Sequence, residues 1–311
     1  MTLLTNTAYS ERFGITAILF ASLLWGTTGT AASFAPAVSP LAIGAFSMGV
    51  GGLLLALLAY KNLARERRVL VKHRRIVLSG ALALAVYPMA FYSSMRMSGV
   101  AIGTVVSIAS APFFVAVLER LFSIKHNIDR RWVYSLSLGT VGIAFLTFSE
   151  PSSNADGDDL SRYLGILLGL IAGLTYALYA WAAKELISHG VSSKSAMGSI
   201  FGTGALILLP SLVFTGGNLF ETSINTYVVL YMAFIPMFVG YACFGFGLKV
   251  VAASKASLLT LFEPAVAAVF AVVVVGEKIS MLGWLGVALI MACLVIQSYK
   301  PVPRSLSVSC P

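Results

Sequence analysis

Residues 251–279 read VAASKASLLTLFEPAVAAVFAVVVVGEKI. From 251 to 275 the stretch is apolar apart from Lys255 near its start, a few hydroxyls and Glu263 at its centre. A helix needs about 20 apolar residues to cross the hydrocarbon core of a bilayer. The stretch therefore reads as a membrane span that buries a carboxyl group near mid-depth. The run is continuous and lacks the alternation of a transmembrane barrel strand, and a helix satisfies its own backbone polar groups in lipid.

Similar windows recur along the chain, and ten spans are expected, at approximately 13–35, 40–60, 76–95, 99–119, 132–149, 163–183, 195–215, 226–247, 251–275 and 280–299. Of the 311 residues, 58% are hydrophobic and 11% are charged, whereas a soluble domain carries about 25% charged residues. So few charges cannot cover a water-facing surface, so lipid must serve as solvent for much of the chain. The net charge of +9 does not point to nucleic acid, because the basic residues fall in short loops between spans. The histidines (His73, His126, His189) sit in loops without metal-ligand spacing, and Cys243, Cys293 and Cys310 do not form a disulfide framework. No metal and no cofactor is expected.

With both termini cytoplasmic, 18 of the 21 basic residues fall on the cytoplasmic side, including the run Lys61, Arg65, Arg67, Arg68, Lys72, Arg74 and Arg75. The external side keeps only Arg96, Arg162 and Lys278, beside the acidic Asp156, Asp158 and Asp159. This asymmetry follows the positive-inside rule, and an odd number of spans would destroy it. Arg96, at the outer end of span three, reads either as a snorkelling side chain or as an external anion-attracting gate.

The first half lies over the second at an offset of about 151 residues. Gly14 to Trp25 matches Gly165 to Tyr176, while Pro112 matches Pro264 and Trp132 matches Trp284. Five spans per half is an odd number, so the halves are expected to sit in opposite orientations, an architecture recurrent in secondary transporters with a site near the midplane. The expected fold is all-α and integral to the membrane, with five-helix repeats at 13–149 and 163–299. Duplication without transport is the alternative.

Several motifs resemble the ten-helix, two-repeat EamA members of the drug/metabolite transporter superfamily. They are Leu24-Trp25-Gly26-Thr27, Ala111-Pro112-Phe113-Phe114, Leu261-Phe262-Glu263-Pro264 and Val275-Gly276-Glu277-Lys278-Ile279, in this order and spacing. The resemblance implies export or exchange of amino acids, related metabolites or drugs across the inner membrane, without ATP; no GxxxxGK[ST] loop is present. One departure stands out. Thirteen residues beyond Pro264 stands Glu277, but thirteen beyond Pro112 stands Lys125, where first repeats of the family often have glutamate. Glu119 is near but out of register.

The candidate substrate- or proton-binding residues are Glu263, Trp25, Tyr92, Tyr176, Ser107, Ser257 and Tyr241, with Pro112 and Pro264 as helix-bend positions. A carboxyl group at mid-span costs about 2.5–3.5 kcal/mol on insertion scales, and such residues mark pathways and proton relays. Glu263 reads as a proton- or amine-binding group, or as a structural carboxyl bonded to a neighbouring helix. Trp25 and Tyr176 hold matched repeat positions and suit an apolar or cationic substrate moiety. Tyr87 and Tyr92, five residues apart, need not share a surface. Ser107 and Ser257 belong to small, hydroxyl-rich stretches that either pack helices or line a path. Gly165, Gly169 and Gly173 form a ridge for packing within the chain or in a dimer.

The function expected is a secondary transporter, exporting small amino acid-like or amphipathic metabolites by alternating access. Its partners are a small-molecule substrate and the bilayer; proton coupling and the choice between monomer and homodimer stay open. The alternative is an intramembrane enzyme, a lipid-modifying transferase or a protease. No His or Asp lies within a span, so acid–base catalysis would rest on Glu263 alone, and no catalytic residues are assigned.

Overall fold

The computed structural model describes residues 2–98, 100–123, 128–149, 159–276 and 278–298. Lys125, His126, Asp156, Asp158, Glu277, Lys300, Arg304, Cys310 and the side chain of Asp159 lie outside the described residues.

Among the described residues, ten long helices correspond to the expected spans. They are α1 (Ser10–Ser33), α2 (Pro40–Leu58), α3 (Arg74–Ser98), α4 (Val100–Phe122) and α5 (Arg130–Phe148), then α6 (Asp159–Ser188), α7 (Ser193–Thr215), α8 (Ser223–Leu248), α9 (Ala253–Val275) and α10 (Met281–Ser298). All but α5 are long and apolar enough to cross a membrane by composition. The α5 helix starts on Arg130 and Arg131, and Asp129 caps it by accepting the Trp132 amide at 2.7 Å. Helices α3 and α6 extend past their apolar windows because terminal charges such as Arg74 and Arg75 reach solvent from a helix end. Large apolar side chains such as Phe214 and Met281 are almost fully exposed on the outside, which lipid tolerates and water does not.

The basic stretch after α2 differs from expectation. It forms a helix, Tyr60–Lys72, rather than a loop. Its apolar Val69 and Leu70 pack on the core, while Lys61, Arg65, Arg67, Arg68 and Lys72 are exposed. Such two-faced helices lie along the membrane surface. Glu66 fastens it to the start of α7 by accepting from the amide and hydroxyl of Ser192 at 3.0 and 3.1 Å.

The packing follows the duplication. The α2 helix packs on α7 and α5 on α10, each pairing equivalent helices of the two halves. The α6 helix packs on α3 and α4, and its counterpart α1 packs on α8 and α9. This pattern is what two inverted five-helix repeats related by a pseudo-two-fold axis produce. Where α5 crosses α10, a Cβ on Gly142 would sit 2.8 Å from the Gly286 carbonyl oxygen, so only glycine permits the approach. The Gly165–Gly169–Gly173 ridge packs inside the chain, against Ser98 and Ser94 of α3 and Ser107 and Ser110 of α4. The matched tryptophans diverge: Trp132 is buried and donates to the Ser254 carbonyl at 3.1 Å, whereas Trp284 is exposed.

Candidate functional site

A cavity of about 110 Å³ lies between the halves. Trp25, Tyr92, Ser107, Tyr176, Tyr241, Ser257 and Glu263 all line it, so residues from α1, α3, α4, α6, α8 and α9 converge on one space. Tyr87 lines it together with Tyr92, a point their spacing left open; Pro88 between them also faces the cavity.

Three local features build the site. The first is the Leu24-Trp25-Gly26-Thr27 motif, which fastens α1 to the second half. The Trp25 indole donates to the Pro236 carbonyl at 2.9 Å, and Thr27 bonds the Tyr231 hydroxyl at 2.7 Å. A Cβ on Gly26 would stand 2.6 Å from Val266 and 2.9 Å from the Glu263 carbonyl oxygen, so glycine is what lets α1 reach α9.

The second feature is the middle of α8, which widens to a π-helix over Ala233–Gly240 around Pro236. Proline lacks an amide donor, and π-turns concentrate at functional sites. The Trp25 indole takes up a carbonyl within this widened segment.

The third is a break in α9. The α-helix Ala253–Leu259 ends, Thr260 and Leu261 form a turn, and a second half-helix runs over Phe262–Phe270. The ring of Pro264 would clash with the carbonyl four residues earlier, which belongs to Thr260, and the chain breaks there. Glu263 therefore stands in the first turn of the second half-helix, the end that favours negative charge. Pro112 behaves otherwise. It lies inside α4, whose helical run continues through it. The helix that is interrupted is the one on the α9 side.

The Glu263 carboxylate faces the cavity without a hydrogen-bond or ion-pair partner among the described residues. Aromatic rings surround the space: Trp25 packs on Tyr241 at 4.7 Å between ring centres, and Tyr87 on Tyr176 at 6.0 Å. Tyr176 bonds Thr260 at 3.1 Å, tying α6 to the broken turn. Tyr241 bonds the buried Tyr179 hydroxyl at 3.0 Å.

Below the cavity, the end of the bundle carrying the basic helix is closed by polar contacts. Lys184 donates to the Leu248 carbonyl at 2.7 Å, and Ser123 accepts from the Trp181 indole at 2.9 Å while donating to Glu185 at 2.8 Å. The buried Glu119 accepts the Ser254 amide at 3.2 Å, serving the start of α9 and standing apart from the cavity. Arg96 is exposed at the opposite end.

Sequence reasoning missed the contribution of α2, where Gly44, Ser47 and Met48 line the cavity, and that of Met232 and Met237 from α8. Small residues and methionines are ordinary in membrane helices. The one available signal was the glycine-rich 44–52 segment.

Residues 12–148 and 163–299 each match the EamA-like transporter family. The chain is similar to the uncharacterized transporter YwfM of Bacillus subtilis (strain 168), 32% identical over 285 residues that cover 91% of this chain and 93% of that protein. It is also similar to a probable amino-acid metabolite efflux pump of Salmonella typhimurium (strain LT2), 26% identical over 262 residues, 81% and 84% of the two chains. A solved structure superposes with a TM-score of 0.74 over 91% of this chain and 95% of that one at 19% identity, which speaks for the fold alone.

Proposed function

The chain belongs to the EamA-like transporter family, and from that premise we propose that this multi-pass membrane transporter exports small amphipathic metabolites, amino acids or related compounds, by alternating access. It is a transporter and not an enzyme. The observation that carries the reading is the cavity between the two halves, lined by residues of both, with the unpartnered Glu263 carboxylate on its wall.

A carboxylate without a protein partner at membrane depth must meet a proton, water or a ligand, because an isolated charge is strongly disfavoured there. Glu263 is thus the group through which a proton gradient would act. The break beside it and the π-segment of α8 supply places where helices flex. The closed basic end and the cavity above it correspond to one state of an alternating cycle. Opening the other way requires separating contacts such as Lys184 with Leu248 and Trp132 with Ser254. Both termini are assigned to the cytoplasm on the distribution of basic residues.

The test is counterflow in proteoliposomes with labelled amino acids and small amines, with and without a pH gradient. Saturable counterflow of at least one compound is expected, accelerated by the gradient in the wild type and unaffected by it in Glu263→Gln. Gradient-driven transport that survives in Glu263→Gln would remove Glu263 from coupling.

A further inference from the structure

Resting on the carrier reading above but narrowing its substrate class from free amino acids to related amines, we propose that the cavity takes a small organic monocation, an amine with an apolar body, and discriminates against substrates that carry a free carboxylate.

The charge inventory comes first. Glu263 is the sole carboxylate among the residues lining the cavity, and none of them is Lys, Arg or His. A carboxylate-bearing ligand would be desolvated beside another carboxylate with no cation to offset it, an arrangement that interiors strongly disfavour. An ammonium group meets the opposite situation, since Glu263 has no competing partner among the described residues. With a single countercharge available, one positive charge is matched and a second is not.

The hydrogen-bond donors point the same way. A site for a carboxylate without a cation would need many free N–H and O–H groups; here Tyr87, Tyr92 and Ser107 keep hydroxyls without a protein partner among the described residues, while other donors on the wall are committed to protein acceptors. The Trp25 indole donates to Pro236, the Thr28 hydroxyl to Trp25, the Ser47 hydroxyl to Gly44, and the hydroxyls of Ser257 and Thr260 to Ser254 and Ser257. These bonds end on backbone carbonyls inside the helices. They leave the ring faces and the hydroxyls of Tyr87, Tyr92 and Ser107 as the unspent recognition surface of the cavity.

Those faces are suited to a cation. Trp25, Tyr87, Phe91, Tyr92, Tyr176 and Tyr241 enclose the space, and an ammonium within about 6 Å of a ring centre is attracted to its face, more strongly when water is excluded. Size sets a limit as well. The cavity of about 110 Å³ is smaller than an engineered apolar cavity of about 150 Å³ that holds benzene. It therefore accommodates an ammonium head with a short apolar portion, and because the cavity is partly open a larger body extends out of it.

The experiment uses the full-length chain in detergent at neutral pH and measures binding of four probes: phenethylamine, phenylalanine, 3-phenylpropionate and putrescine. Phenethylamine is expected to bind at least about tenfold more tightly than any of the other three, the penalty of an unmatched charge. Glu263→Gln is expected to erase that preference. Tyr92→Leu, which removes a ring that makes no hydrogen bond to the protein, is expected to weaken phenethylamine several-fold without reversing the order. The wild-type panel decides the charge rule by itself, so a variant that fails to fold leaves the test intact. Phenylalanine or 3-phenylpropionate binding as tightly as phenethylamine overturns the proposal, and so does the absence of phenethylamine binding. Counterflow with the same probes separates the two readings. Phenethylamine that binds but never exchanges sinks the carrier and leaves this site, while phenylalanine exchanging with phenethylamine silent sinks this site and leaves the carrier.

Discussion

Helices α4 and α9 occupy equivalent places in the two halves and carry matched prolines, yet α4 runs unbroken through Pro112 while α9 breaks at Thr260 and Leu261, ahead of Pro264. Where α9 has Glu263, the offset of the matched prolines places Ala111 in α4, and both face the cavity. The neighbours account for the difference. Gly173 lets α6 seat directly on Ser107 and Ala111, holding the turn that precedes Pro112. The matching residue of α1 is Ser22, whose hydroxyl bonds its own helix at Ile18. In α1 the close approach comes later, at Gly26, against the carbonyl of Glu263 itself. Duplication supplied two similar helices, and with unequal packing one runs continuously while the other is interrupted and carries the charge.

The strongest challenge to this comparison is Glu263→Gln, which makes the α9 face as uncharged as that of α4. The pH-gradient acceleration of transport is expected to disappear entirely, read as equal counterflow rates with and without the gradient. Next in size is Gly26→Val, which puts side-chain atoms into Val266 and the Glu263 carbonyl. A loss of about 1–3 kcal/mol of stability is expected from such overpacking, measured as a lowered unfolding midpoint in detergent. At the matching place in α6, Ala177 is already fully buried, and Ala177→Gly is expected to cost only about 1 kcal/mol. Trp25→Phe removes the bond to Pro236 and is expected to cost roughly 0.5–1.5 kcal/mol, with a broader melt of α8 seen by hydrogen exchange. The two prolines are expected to respond unequally, Pro264 with the smallest effect of all. Pro264→Ala should change stability by less than about 0.5 kcal/mol, since an amide in the first turn of a half-helix has no helical acceptor to gain. Pro112→Ala should raise it by roughly 1 kcal/mol through an added bond in the continuous α4. Equal responses from the two prolines would mean that α4 and α9 do not differ as described.

The candidate residues were legible because each broke a local rule: Glu263 put a charge in an apolar run, and Trp25 and Tyr176 put polar-tipped rings at matched depth. The contribution of α2 was not legible, since Gly44, Ser47 and Met48 break no rule and face the cavity only because α2 lies across from α3. Whether Tyr87 and Tyr92 share a surface was left open by their spacing, since residues five apart on a helix are not a single stripe; the cavity touches both.

Composition, span length and the internal repeat were enough to read a helical membrane protein of about ten helices in two halves, because burial in lipid is decided by each segment's own side chains. Which proline breaks its helix, whether the α6 glycine ridge packs within the chain, and which hydroxyls keep a free donor were decided only by the tertiary structure. Those outcomes depend on what a neighbouring helix places within a few ångströms, and no single segment encodes that.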